Sequence, residues 1–189
     1  MKILPFTEAS LSTAADIIRR GGVVLLPTET VYGVACSPAF PKALERIRKM
    51  KARDATKPFQ LLASDTDAVL NNGAVVSNEA QRIAASWPGA LTLVLPQTSG
   101  PDEGYRIPNL PLLRQLIAQC GGLLRCTSVN LSGEPPAKDA QEAAKALPDA
   151  DLLLDGGPAR LGEASTVVRM LPDGTPQILR QGALQITSV

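Results

Sequence analysis

The chain has 189 residues, of which 44% are hydrophobic and 20% are charged, and its formal net charge is +1. This composition is typical of a globular protein with its own hydrophobic core, and we expect a single domain over residues 1–189. The absence of histidine excludes Ser-His-Asp and Cys-His nucleophilic systems, together with histidine-ligated metal sites.

The sequence also bears on compartment and on metals. Its longest apolar runs, such as residues 21–27 and 90–96, are shorter than the roughly 20 residues that a transmembrane helix needs. The segment Met1–Pro5 shows no signal-peptide pattern, so we expect a cytoplasmic protein without membrane contact. The cysteines lack Cys-x-x-Cys spacing and predict neither a disulfide framework nor a zinc site, and no metal is assigned to protein side chains; they are Cys36, Cys120 and Cys126.

Hydrophobic spacing and boundary residues predict helices that alternate with strands, which indicates the α/β class. A helix over residues 10–20 ends at a glycine pair, a strand follows at 22–27, and Pro41 opens a second helix. Further strands are predicted at 59–63, 91–95, 105–107, 123–127 and 152–154, further helices at 65–71, 77–86, 112–119 and 140–147, and a hairpin from 165–170 and 177–180.

Polar side chains follow two of the predicted strands. The segment Pro27-Thr28-Glu29-Thr30-Val31-Tyr32-Gly33 comes directly after the first strand, and Ser128-Val129-Asn130-Leu131-Ser132-Gly133 follows the strand at 123–127. Because the carboxyl ends of strands in open α/β sheets commonly present ligand sites, both segments are candidates for a binding site. For the second segment the alternative is a self-capped Asx turn without ligand.

Positive charge is concentrated between residues 42 and 57, which favours an anionic ligand. Lys51, Arg53 and Lys57 lie where the second helix ends, and they predict either a phosphate clamp or a solvated helix end that opposes the helix dipole. Since the chain has neither a Walker-type loop nor a G-x-G-x-x-G motif, side chains would have to hold the phosphates. The seven cations of this stretch are Lys42, Arg46, Arg48, Lys49, Lys51, Arg53 and Lys57, against the two acids Glu45 and Asp54.

Over nearly its whole length the chain resembles the YrdC family of threonylcarbamoyl-AMP synthases. The resemblance implies a twisted, open, mixed β-sheet flanked by helices, with a basic concave cleft, in the short single-domain form of the family. The segments that carry it are residues 27–33, Lys51-Ala52-Arg53, Lys57-Pro58, Trp87-Pro88-Gly89, Arg106, Thr127 to Gly133, Ser165-Thr166-Val167-Val168 and Arg180-Gln181-Gly182.

The resemblance also implies a reaction. L-threonine, bicarbonate and ATP, accompanied by Mg²⁺, would give threonylcarbamoyl-AMP and pyrophosphate, and separate transfer proteins would use the product to make N6-threonylcarbamoyladenosine in tRNA. Lys51 and Arg53 would be catalytic. The ATP site would comprise Lys51, Arg53, Lys57, Asn130, Lys138 and Arg180, and the threonine site would comprise Thr30, Arg106, Ser128 and Ser165.

Three positions depart from the family pattern and bear on the activity. Val129 replaces a usual alanine and is expected to narrow the pocket, Cys126 replaces a small hydroxyl residue, and Arg169 replaces a frequent aspartate. One alternative is therefore a paralogue that uses another acceptor. A second alternative is a non-catalytic module that binds tRNA or double-stranded RNA, against which the near-neutral charge and the aromatic content of 3% count. Glu29 is a candidate proton acceptor or a structural residue.

Overall fold

The computed structural model describes residues 1–54 and 57–186, in which ten strands form one sheet with helices on both faces. The strands are β1 (Lys2–Pro5), β2 (Val24–Leu26), β3 (Gly33–Cys36), β4 (Gln60–Ala63), β5 (Leu91–Leu95), β6 (Glu103–Arg106), β7 (Leu123–Ser128), β8 (Leu152–Asp155), β9 (Thr166–Met170) and β10 (Pro176–Arg180). The helices are α1 (Glu8–Arg19), α2 (Pro41–Met50), α3 (Thr66–Asn71), α4 (Asn78–Ala84), α5 (Pro111–Gln119) and α6 (Ala140–Ala146).

The sheet is open and mixed. Its strand order is β1-β8-β2-β3-β7-β4-β6-β5-β9-β10. Strand β8 pairs in parallel with β1 and β2, and the pairs β4–β6 and β5–β9 are also parallel. The remaining neighbours are antiparallel, so the expected mixed sheet is confirmed.

Alternation along the strands distributes the core between the two faces. Val24 and Leu26 pack with α1 and α5, whereas Val23 and Leu25 pack with α2 and α6. This is the period of two that a strand imposes, and it explains why the segment is apolar throughout. A third core cluster joins α3 and α4 to the far part of the sheet, around Leu91 and Leu93 of β5.

Every predicted helix and strand is present, with ends shifted by a few residues. Pro41 and Pro111 begin α2 and α5, because a proline without an N–H is tolerated in the first turn of a helix. Two strands were not predicted. β1 is an edge strand whose side chains are mostly exposed, and β3 follows immediately after the polar segment at 27–33. Among the described residues, none of the helices is long and apolar enough to span a bilayer.

Candidate active site

One cavity of about 350 Å³ lies across seven neighbouring strands, from β3 to β10. It collects polar side chains from segments that are far apart in sequence. Of the predicted site residues, those that line the cavity are Thr30, Arg53, Lys57, Arg106, Ser128, Ser165 and Arg180, and those outside its lining are Lys51, Asn130 and Lys138.

The cavity is strongly cationic. In the described part of the chain its lining contains two arginines on opposite ends of the site, Arg53 and Arg180, the buried Arg106 and the exposed Lys57, and it contains no carboxylate. Partial burial lowers the pKa of Arg180, with the charge of Arg106 as the second cause, and lowers that of Arg53, with Arg48 as the second cause. Cations that repel each other in a concave site favour an anionic ligand.

Arg106 lies at the floor of the cavity and is held from behind by Glu29. The two side chains are 3% and 2% exposed, and Glu29 Oε1 lies 2.7 Å from Arg106 Nη2. Arg106 also donates to Gly89 O through Nε and to Thr30 Oγ1 through Nη1, the latter over 2.8 Å. Glu29 itself is outside the lining of this cavity, so its observed role is to orient and charge-balance Arg106.

The end of α2 sends two cations in different directions. Lys51 caps the helix, Ala52 follows with φ of 46°, and Arg53 then returns with its N–H bonded to Arg48 O. A non-glycine residue in the left-handed region is unusual and reverses the chain sharply. Lys51 therefore points into the protein, while Arg53 reaches the cavity, where its Nη2 donates to Pro58 O and its Cζ lies 5.3 Å from the Phe59 ring centroid.

Lys51 anchors the turn that carries Ser128 and Asn130. Its Nζ donates to Ser128 O, to Asn130 O and, over 2.8 Å, to Asn130 Oδ1. In return, Lys51 O accepts a hydrogen bond from Ser132 N. Burial lowers the pKa of Lys51 to about 8, with the nearby Arg53 as the second cause. The turn thus sits on a buried ammonium group that contributes its charge without lining the cavity.

Ser165 and Arg180 form the opposite wall. The guanidinium of Arg180 donates to Ser165 O through Nε and Nη2, at 3.1 and 2.7 Å. The Ser165 hydroxyl lies 2.8 Å from Thr92 Oγ1, which donates to Gln60 Oε1 over 2.7 Å. Side chains from three strands, β4, β5 and β10, therefore hold the segment that precedes β9.

Comparison with known proteins identifies the group to which this arrangement belongs. The family model of Sua5, YciO and YrdC proteins, described as telomere recombination, matches residues 16–182. The chain belongs to the Sua5/YciO/YrdC family. The resemblance deduced from the sequence motifs is therefore confirmed.

Individual relatives agree with this membership. A threonylcarbamoyl-AMP synthase of Chromohalobacter salexigens is 33% identical over 171 residues, which cover 85% of this chain and 92% of the relative. The structure of Pyrococcus abyssi Sua5 complexed with L-threonine has a TM-score of 0.86 and 30% identity, covering 96% of this chain and 56% of that one. Escherichia coli YciO has a TM-score of 0.84 and 28% identity, covering 96% and 93%.

Of the three residues that depart from the Sua5/YciO/YrdC pattern, Cys126 lines the cavity, whereas Val129 and Arg169 do not. Val129 is fully buried in the core cluster between β3 and α6, so the expectation that it narrows the cavity is wrong: its side chain packs on the far side of the turn. Arg169 pairs with Asp102 outside the lining. Cys126 does line the cavity, and a Cβ at Gly33 would lie 2.7 Å from its Sγ, which explains the glycine at that position.

Five polar residues of the described cavity wall have no role in the sequence-based assignment. Thr28, Tyr32 and Thr127 belong to the two polar motifs, and Gln60 and Thr92 belong to predicted strands. A signal for Thr92 does exist in the sequence, because it is the single polar residue of the apolar strand β5. Lys138, in contrast, is exposed and packs its side chain near Gly162.

Proposed function

We propose that this protein is an L-threonylcarbamoyladenylate synthase, a nucleotidyltransferase that converts L-threonine, bicarbonate and ATP into threonylcarbamoyl-AMP and pyrophosphate. One observation carries the proposal: the same cavity contains two kinds of binding group. Arg53, Lys57 and Arg180 are suited to bind phosphate, and the buried Arg106, with hydroxyl groups around it, is suited to bind an amino acid. The names of the relatives support the same reaction. The bound L-threonine of the Pyrococcus abyssi protein supports the amino-acid substrate.

The residues divide into two groups in this proposal. Arg53, Lys57 and Arg180 hold the triphosphate, since guanidinium groups offer paired donors to phosphate oxygens. Arg106 binds the threonine carboxylate, and the hydroxyl groups of Thr30, Ser128 and Ser165 complete that end. Asn130 and Lys51 act on the ATP end through the turn that they stabilise, and Lys138 remains an ATP-binding candidate at the rim.

The chemistry needs positioning and charge stabilisation. The threonine amine combines with bicarbonate to give a carbamate and water, and a carbamate oxygen then attacks the α-phosphorus of ATP and releases pyrophosphate. A cavity that fixes the reacting oxygen beside the phosphorus, and whose cations stabilise the departing pyrophosphate, supplies much of the barrier reduction for such a step. This is consistent with a sequence that contains no histidine.

Magnesium enters this proposal as part of the Mg²⁺–ATP substrate. Residues 1–54 and 57–186 contain no group of three or more His, Cys, Asp or Glu side chains placed to hold a metal ion. Mg²⁺ is commonly held by substrate phosphates and water together with few protein ligands, which fits a cavity whose described lining has no carboxylate.

The proposed product is the substrate of proteins that transfer the threonylcarbamoyl group to tRNA, and the cytoplasm is the proposed location. Direct contact of this protein with tRNA or double-stranded RNA stays a prediction. The non-catalytic RNA-binding alternative is not favoured, because the relatives are named as synthases. The paralogue alternative has lost two of its arguments, since Val129 and Arg169 lie outside the cavity lining.

The test is product formation. The protein is incubated with Mg²⁺, ATP, bicarbonate and each of the common amino acids in turn, and the adenylate is sought by mass spectrometry while pyrophosphate is measured. We expect threonylcarbamoyl-AMP with threonine. Arg53→Ala should abolish it, whereas Lys145→Ala, an exposed lysine of α6, should leave it unchanged. A wild-type protein that releases no pyrophosphate with threonine would contradict the proposal.

A further inference from the structure

Three of the hydroxyl groups in the described cavity lining, the ones assigned to the threonine site, share one property: each directs its proton into the protein. These groups belong to Thr30, Ser128 and Ser165. A hydroxyl has one proton and two lone pairs, so a hydroxyl whose proton is bound behind it offers only lone pairs to a ligand. The direction of each proton follows from the partners behind it.

The Ser128 proton is fixed by Asn130. Asn130 Nδ2 donates to Leu131 O and Glu134 O at 2.9 and 2.8 Å, which places Oδ1 on the other side, where it accepts from Lys51 Nζ. Ser128 Oγ lies 2.7 Å from this oxygen and must therefore be the donor.

The Thr30 proton is fixed by Thr28. Thr28 Oγ1 lies 2.7 Å from both Val31 O and Thr30 Oγ1. Val31 O can only accept, so Thr28 donates its proton to it, and Thr30 is then the donor in the short bond between the two hydroxyls. Thr28 Oγ1 also accepts from the backbone N–H groups of Thr30 and Val31, at 3.1 and 3.2 Å. Thr30 Oγ1 also accepts from Arg106 Nη1, which leaves it one lone pair for a ligand.

The Ser165 proton is fixed by Thr92 and Gln60. In the amide orientation that turns Gln60 Oε1 toward Thr92, Thr92 donates to that oxygen, and the Thr92 oxygen is then the acceptor in the 2.8 Å bond to Ser165. The Ser165 oxygen then presents lone pairs, and Arg180 Nη2 approaches it at 3.4 Å as a donor would. Thr92 is 3% exposed, and neither it nor Gln60 was among the predicted site residues.

We propose that Thr92, backed by Gln60, is a positioning residue that keeps the Ser165 hydroxyl a hydrogen-bond acceptor, so that this end of the cavity receives the substrate through its ammonium group. An ammonium group has three donors and no acceptor, so it can donate to the Ser165 oxygen, whereas a ligand hydroxyl or carboxylate gains nothing comparable from it. The carboxylate of the same amino acid is left to Arg106. This inference rests on the proposed function, because it takes an amino acid as the ligand.

The first experiment separates the Michaelis constants of the two substrates. Thr92→Val keeps the side-chain shape and removes the hydroxyl, so the Ser165 proton becomes free to turn toward the ligand. We expect the threonine KM to rise about five- to tenfold, since a hydrogen bond contributes roughly 1 kcal/mol and 1.4 kcal/mol is tenfold, while the ATP KM stays within about twofold. Thr92→Ser should restore the threonine KM.

Two further variants separate the proposed role of Thr92 from a general loss of stability. Thr166→Val removes another buried hydroxyl, whose bonds go to Gly182 N and Leu184 O outside the cavity lining, and it should leave the ratio of the two Michaelis constants unchanged. Gln60→Met removes the acceptor behind Thr92 at a half-buried position, so it should fold and raise the threonine KM selectively. Gln60→Met therefore tests the inference even if Thr92→Val does not fold.

The second experiment exchanges the ligand. Binding of threonine and of its α-hydroxy counterpart, 2,3-dihydroxybutanoate, is measured by calorimetry without ATP. The wild-type protein should bind the hydroxy acid at least tenfold more weakly, and Thr92→Val should narrow this gap because Ser165 becomes able to donate.

The outcomes are distinct. An equal loss of affinity for both ligands in Thr92→Val, or an unchanged ratio of Michaelis constants in both Thr92→Val and Gln60→Met, overturns the positioning role and leaves the proposed function intact. A wild-type protein that neither binds nor turns over threonine overturns the proposed function, and this inference with it.

Discussion

Lys51 and Lys57 belong to the same basic stretch, yet the structure gives them different surroundings. Lys51 is 1% exposed, and its ammonium donates to three oxygens of the turn at residues 128–130. An ammonium has three protons, so none is left for a phosphate oxygen. Lys57 is exposed and lines the cavity. Of these two lysines, Lys57 is therefore the one placed to contact ATP directly.

This difference predicts different effects of substitution. Lys51→Met leaves buried acceptors without a donor, which costs roughly 1–3 kcal/mol for each such group, and we expect a melting temperature lowered by about 5 °C or more together with a loss of turnover. Lys57→Ala should raise the ATP KM and leave the melting temperature unchanged. Thermal unfolding and steady-state kinetics of both variants check this, and an unchanged melting temperature in Lys51→Met would contradict the anchoring role.

The lowered pKa of Lys51 predicts a dependence on pH. Its value of about 8 in the folded protein, against 10.5 for a free lysine, arises from burial first and from Arg53 second. The turn loses its cation as the pH passes through about 8, so turnover should fall as a single ionisation between about pH 7 and 9. A pH profile of kcat in wild-type protein measures it, and a rate that stays constant to pH 10 would argue against an essential ammonium.

The lowered pKa of Lys51 affects stability in the opposite direction, because stability rises with pH where turnover falls. Between about pH 8 and 10.5 the unfolded chain binds the proton that folded Lys51 has lost, so the contribution of this residue to the free energy of unfolding rises with pH. The difference in unfolding free energy between wild-type protein and Lys51→Met should therefore increase from pH 7.5 to pH 10. Urea titrations at the two pH values test this, and Lys145→Ala provides a surface control.

Among the elements, those with strong local signals were predicted and those without were missed. α2 and α5 begin at Pro41 and Pro111, and the glycines after α1 and α5 mark their ends, so neighbouring residues suffice to place them. β1 lacks alternation because it lies at the sheet edge with most side chains exposed. β3 is short, begins at Gly33 and follows a polar segment, so only its pairing with β2 and β7 defines it.

Most of the candidate site was predictable as a set of residues, whereas their roles required tertiary structure. The sequence places Lys51 and Arg53 two positions apart, but the left-handed Ala52 decides that one enters the protein and the other the cavity. The pairing of Ser165 with Thr92 joins residues 73 positions apart and follows from the parallel register of β5 and β9. No local pattern contains that information.

The turn after β7 predicts the effect of changing Val129. Its backbone N–H donates to Tyr32 O and its carbonyl accepts from Ala137 N, while its side chain is fully buried in the core beside α6. Val129→Ala should therefore cost roughly 1–3 kcal/mol of stability through the lost methyl groups and leave the threonine KM within about twofold. Chemical denaturation and kinetics check this. A large change in the threonine KM at unchanged stability would instead assign Val129 to the cavity.

At the scale of the whole molecule, the net charge of +1 conceals a concentrated positive site. The sheet order places β6 and β10 on either side of the pair β5–β9, so Arg106 and Arg180, distant in sequence, face one cavity together with Arg53. Elsewhere the basic stretch is partly neutralised. Arg46 pairs with Asp151 and Arg48 with Glu45, so helix α2 presents less positive charge than its sequence indicates.

A polyanion that occupies this cavity should stabilise the folded protein. Unliganded, the cavity cations repel one another without a carboxylate in the described lining, and a bound phosphate chain relieves that repulsion while it binds only the native state. At a concentration about 100-fold above its Kd, a ligand adds about 2.7 kcal/mol, or roughly 5–10 °C in melting temperature for a chain of this size. ATP and pyrophosphate should both produce this shift, and adenosine should not.

Variants and salt make the assignment specific. Arg53→Ala and Arg180→Ala should each reduce the rise in melting temperature that pyrophosphate produces, whereas Lys145→Ala should leave this rise unchanged. Raising the ionic strength from 0.05 to 0.5 M, a range over which the Debye length falls from about 14 to about 4 Å, should weaken the shift that depends on the exposed Lys57 and the half-buried Arg53. Differential scanning fluorimetry measures all of these. Equal shifts with adenosine, or full shifts in both arginine variants, would place the phosphate site elsewhere on the molecule.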